Sequence, residues 1–144
     1  MASVHDVVAY ILHKKGKIVA IKLHKLLYYC QAWSLVWDEC PLFHARIEAW
    51  ANGPVVPMVY RVHRGNYYVD TWPYGDRGNL DETERDTVKA VLSKYGQKDP
   101  QWLSELTHRE KPWINARRGL GPLDIGEREI TLSAMAEYYN SLVR

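Results

Sequence analysis

A chain of 144 residues with 19 basic against 17 acidic side chains carries a formal net charge of +2, well short of the concentrated positive field that strong nucleic-acid binding uses. Its 47% hydrophobic and 25% charged residues exclude extensive disorder, and the length suits one domain over residues 1–144 with a substantial core. The two cysteines, Cys30 and Cys40, are too few for a multi-bridge secreted framework or a four-ligand metal site, so both are expected to be reduced.

The first residues, Met1-Ala2-Ser3-Val4-His5-Asp6, lack a basic stretch leading into an apolar run and a cleavage site, so no secretory signal is read and the cytoplasm is the expected location. Val4, Val7, Val8, Ile11 and Leu12 then repeat at helical spacing, with Ser3 as cap, Asp6 near the positive end and Gly16 as the stop. A second helix over 21–37 carries an apolar stripe through Leu23, Leu26, Leu27, Cys30, Trp33 and Trp37. Leu35 and Val36 make its later turns apolar nearly all round, so it belongs at the centre. Its apolar part is too short to span a membrane, which takes ~20 residues.

Residues 45–51 alternate Arg46, Glu48 and Trp50 with Ile47, Ala49 and Ala51, the pattern of a short half-buried strand. Gly53-Pro54 ends it, and Pro54 is expected to open a helix carrying Val55, Val59 and Val62, with Pro57 in its first turn. Residues 66–80 read as a loop pinned by Tyr67, Tyr68, Trp72 and Tyr74. Further helices follow from Asp81 to Gly96, from Asp99-Pro100 through Leu106, again at Lys111-Pro112-Trp113, and from Thr131, where Ile130 and Met135 are placed to staple the start. The glycines between Arg117 and Glu129 mark a turn-rich connection with a minor extended piece at 123–125. The fold class is therefore mainly α, a single compact helical domain with a minor β element around 45–52.

Chemistry is harder to find. The six histidines include no His-Glu-x-x-His and no pair one helical turn apart, so no metal site and no cofactor are expected. Thr107-His108-Arg109-Glu110 offers an imidazole near a carboxylate, as a general base needs. The plainer reading has His108 bonding backbone carbonyls and Glu110 capping the turn at Pro112. Ser34 and Ser104 lack a nucleophile elbow, and Cys30 lies on the buried stripe. Lys14, Lys15, Lys17, Lys22 and Lys25 form a basic region and Arg117-Arg118 a smaller one, both read as helix-end charges and solvated faces. Six Trp and ten Tyr against one Phe mean that nearly every large ring carries a polar handle, a composition suited to interfaces. Trp33, Trp37, Trp50, Tyr60, Trp72 and Trp113 are the candidate contact residues.

Lys22-Leu23-His24-Lys25-Leu26-Leu27-Tyr28-Tyr29 with Gln31-Ala32-Trp33, Pro41-Leu42-Phe43, Ile47-Glu48-Ala49-Trp50 through Gly53-Pro54-Val55-Val56, and Thr107 to Trp113 together resemble the Panacea domain family of SocA-like and GepA-like proteins. The resemblance implies a mainly helical antitoxin of a two-gene toxin–antitoxin pair, which neutralises its toxin by direct protein contact. It singles out Lys25, Tyr28, Gly53, Pro54, Val55, His108 and Glu110 as motif residues, structural or functional. The implied partner is a cognate protein toxin, encoded by the adjacent gene. Two alternatives remain open: an adaptor that delivers the toxin to a protease, or an enzyme that reverses a toxin's modification using His108 and Glu110. Nucleic-acid and membrane partners are not expected.

Overall fold

The computed structural model describes residues 2–143, and these hold seven α-helices and four short strands. Helix α1 (Val4–Lys15) begins with a reciprocal capping box. The Ser3 hydroxyl accepts from the Asp6 N–H, and the Asp6 carboxylate accepts from the Ser3 N–H at 3.0 Å. Gly16 closes it at φ 72°, a conformation that costs glycine little. Strand β1 (Ile18–Val19) leads directly into α2 (Ala20–Trp37), the longest helix.

Helix α2 is the axis of the molecule. Residues 23–34 are all buried, which requires packing on every side, and α4, α7, α5 and α1 supply it. Full burial of Leu23, Leu26 and Leu27 contributes roughly 1.5–3 kcal/mol each. The apolar residues from Ala2 to Tyr139 form one continuous cluster.

After α2 come β2 (Glu48–Trp50) and β3 (Gly53–Val55), an antiparallel pair with Ala49 opposite Pro54. Here the structure differs from the sequence expectation: Gly53-Pro54-Val55 is a strand, and α3 (Pro57–His63) starts at the second proline. Both prolines can open a helix, but the backbone pairing across β2 claims the first. The 66–80 segment also holds β4 (Tyr68–Val69), paired with β1, and a single 3₁₀ turn at 77–79.

Helix α4 (Glu82–Tyr95) has the capping box of Asp81 and Glu84, and α5 (Pro100–His108) is capped by Asp99, which accepts from the Trp102 N–H at 2.7 Å. Helix α6 (Lys111–Ala116) follows, then a turn-rich segment, then α7 (Leu132–Ser141), capped by Thr131. The extended piece expected at 123–125 lies instead at Glu129, which bridges to Glu48. Ala49 N–H donates to Arg128 O, and Ile130 N–H to Ile47 O. Ile130 and Met135 are both buried at the start of α7. No helix among the described residues is long and apolar enough to cross a membrane.

Candidate functional site

Three segments remote in sequence meet at the β2–β3 hairpin. Gly53 adopts φ +120°, and a Cβ there would stand 2.6 Å from Lys25 Cε and 3.0 Å from Thr107 Oγ1. Only glycine fits, because the lysine stem from α2 and the threonine from α5 close directly on the backbone. Lys25 Nζ, fully buried, donates to Pro54 O over a long 3.4 Å. The α6 end grips the other strand: Trp113 Nε1 donates to Trp50 O and Arg117 Nη1 to Ala49 O, both at 2.8 Å. Arg117 Nη2 also donates to Gly121 O and Asp124 O, which fixes the following loop. The guanidinium lies 5.3 Å from the Trp113 ring centre, and that ring stacks on His108 at 4.1 Å. Lys25 and Arg117 are buried without any carboxylate, since the ion pairs of the described residues join Arg46 to Glu48 and Glu129 only.

Beside Lys25, His24 and His63 share a hydrogen bond of 2.7 Å between their Nε2 atoms. Val56 N–H donates to His24 Nδ1, so the His24 proton sits on Nε2 and is donated to His63. The His63 proton is then on Nδ1, a buried atom with no partner. Burial lowers the pKa of His24, and the neighbouring Lys25 lowers it further; burial likewise lowers His63. Burial alone brings Lys25 down to about 7. His108 is lowered by burial first, then by Lys25 and Arg117. Desolvation thus favours the uncharged form of each of these basic groups.

Above this floor opens a cleft of about 610 Å³. Its walls are Trp50, Tyr60 and Tyr67 with Val19, Ile21 and Val55, and its rim carries Leu123 and Ile125, which are 91% and 82% exposed. Trp50 and Tyr60 meet edge to face at 4.9 Å, and Glu48 fixes the indole by accepting from its Nε1 at 2.9 Å. No acidic residue lines the cleft. Size and mixed lining suit it to a ligand or to an inserted peptide segment.

The candidate residues divide accordingly. Trp50 and Tyr60 form the cleft, and Trp113 supports it from beneath the hairpin. Trp33 and Trp72 offer no contact area, because both are buried: the first donates to Tyr95 Oη, the second to His5 Nδ1. Trp37 is exposed on the Trp33 face, outside the cleft lining. Lys25, Gly53, Pro54 and Val55 converge at the hairpin.

Tyr28 and Glu110 belong to a separate core network. Tyr29 and Tyr139 hydroxyls both donate to Glu110 Oε1 at 2.7 Å, and the Tyr28 and Tyr139 hydroxyls lie 3.0 Å apart. Glu110 occupies the cap position of α6 without a side-chain cap bond, which corrects the sequence expectation: its carboxylate turns inward to the phenols. Burial raises its pKa, and the two phenols partly counter that. His108 stacks on Trp113 with its Nε2 unpartnered, while a backbone contact to Ala51 partly counters the lowering of its pKa. No hydrogen bond links His108 to Glu110, and no three potential metal ligands meet among the described residues.

His24, His63, Arg117, Leu123 and Ile125 are site residues that sequence reasoning passed over. The available signals were a lysine on a helix otherwise expected at the centre of the core and two aliphatic residues in a Gly- and Pro-rich turn. Compared with known proteins, residues 23–114 match the family model described as antitoxin SocA-like, Panacea domain. No curated protein and no solved structure matches.

Proposed function

Because the chain belongs to the SocA-like, Panacea-domain antitoxin family, we propose that it is the antitoxin of a two-gene pair, and that it neutralises the protein toxin encoded next to it by holding a segment of that toxin in the cleft beside the hairpin. The observation that carries this reading is the rim. Leu123 and Ile125 stand almost fully exposed on a loop that a buried arginine fixes at two carbonyls, so large apolar groups are held ready in water at little ordering cost on binding. The aromatic pair Trp50 and Tyr60 adds rigid contact area with few rotatable bonds. The rim loop lies outside the family-matched span, where partner-specific contacts can vary without disturbing the scaffold.

Neutralisation on this reading is contact without bond chemistry, in the cytoplasm. Glu110 is engaged by two phenols and His108 by an indole, and neither lines the cleft. The test is coexpression with the adjacent open reading frame, followed by copurification and growth rescue. Leu123→Asp with Ile125→Asp should abolish both. Rescue that survives the loss of copurification, or that requires His108 with binding intact, would refute it.

A further inference from the structure

We propose that the floor of the cleft is a recognition site for a carboxylate, presented on an apolar or aromatic segment, with Lys25, His63 and the first turn of α2 as its donors. Four independent features place this chemistry there. Val19, Ala20 and Ile21 line the cleft, so it opens at the positive end of the longest helix; Tyr67 O takes the Ala20 N–H at 2.8 Å, and the cap residue Val19 makes no side-chain hydrogen bond to the remaining donors of that turn. One turn further on, Lys25 has three N–H donors and a single acceptor at 3.4 Å. His63, also in the lining, keeps a buried Nδ1 without a partner. The amide of Asn52 stands exposed at the mouth.

Against these donors the lining holds no aspartate or glutamate. A buried donor without an acceptor is costly, and here such donors gather in one place at a helix N-terminus. An anion satisfies them together. A single negative charge matches: no arginine fork and no glycine-rich turn of the kind that embraces phosphate lines the cleft. The walls of Trp50, Tyr60, Tyr67, Val19, Ile21 and Val55 then call for an apolar or aromatic carrier. The inference rests on the antitoxin reading only for the source of the carboxylate, an acidic side chain or the carboxyl terminus of the toxin; a free small-molecule acid is the other source.

The experiment uses a matched pair of probes, N-acetyl-L-phenylalanine and its primary amide, titrated into the full chain while the histidine ring resonances are followed by NMR. The acid should move the His24 and His63 signals and bind at least 10-fold tighter than the amide. Lys25→Met should bring the two within about 2-fold. Equal binding of acid and amide to the unmodified protein, or no movement of those two rings, overturns the proposal and requires no variant to fold.

With the copurified toxin, alanine replacement of its acidic residues one at a time, and amidation of its carboxyl terminus, should reveal one carboxylate whose loss has no further effect on the Lys25→Met background. If Leu123→Asp abolishes toxin binding but no toxin carboxylate couples to Lys25, a toxin-borne carboxylate is refuted while the docking reading stands. If the acid probe binds and Leu123→Asp leaves toxin binding intact, the carboxylate site holds and the docking reading fails.

Discussion

Lys25→Met should make the protein more stable. In the native state burial lowers the lysine pKa from 10.5 to about 7, so the unfolded chain binds this proton more tightly. At ~1.4 kcal/mol per pH unit, and with the native group half-titrated at neutrality, the lysine costs about 4 kcal/mol of stability at pH 7. Methionine keeps the length of the stem and removes the charge, giving up only one long hydrogen bond worth about 1 kcal/mol or less; a net gain of ~3 kcal/mol at pH 7 is expected. The sign with pH follows directly. A depressed lysine pKa means that the unfolded state holds more protons between about 7 and 10.5, so wild-type stability rises through that window. From pH 7 to 9 the rise is about 2 kcal/mol.

Other groups leave that window readable. His24, His63 and His108 are all lowered from 6.5 and titrate beneath it. Lys22, also lowered by burial, adds the same sign. Above 9 the buried Cys30 thiol, and above 10 Tyr28, Tyr29, Tyr95 and Tyr139, reverse the slope, because burial raises their pKa values and the native state then keeps protons that the unfolded chain loses. Urea unfolding from pH 6 to 10 on both proteins measures all of this. A variant less stable than wild type at pH 7, with no rise between 7 and 9 in the parent, would refute the buried-charge reasoning.

Gly53→Ala places a methyl against Lys25 and Thr107 at a positive φ and should cost on the order of 2–3 kcal/mol in denaturant unfolding. Glu110→Ala strands the Tyr29 and Tyr139 hydroxyls and should cost about 2–4 kcal/mol, whereas Glu110→Gln, which keeps an acceptor, should cost ~1 kcal/mol and preserve growth rescue. Arg117→Met releases Gly121 and Asp124; limited proteolysis should then cut at 119–126 while α2 amides stay protected from hydrogen exchange. Leu123→Asp should leave the melting temperature within a degree or two and lower toxin affinity at least 10-fold, read by calorimetry.

The helices were legible because their signals are local. Ser3, Asp81, Asp99 and Thr131 each sit at the cap position their spacing predicts, and the apolar stripe of α2, with Leu35 and Val36 making its later turns apolar nearly all round, announced a central helix. The hairpin was half-legible: alternation marked 45–51, but the partner strand contains Pro54, which also reads as a helix start. The site was least legible, since its contacts join residues far apart. His24 and His63 show no ligand-like spacing until α3 folds back on α2. Lys25 and Arg117 each sit beside other basic residues and read as solvated charge, whereas both are buried under the hairpin. Glu110 illustrates the same limit, because two tyrosines from other helices outcompete the local cap.

A ribbon with three residues per strand has no stability of its own. It stands because α2 pushes up from one side and α6 pulls from the other. Its shape is therefore a readout of the whole chain, and a single backbone nick in α2, α5 or α6 would erase it together with the cleft. On the antitoxin function proposed above, inhibitory capacity is expected to vanish in one step with a cut in any of those helices, leaving no fragment that rescues growth.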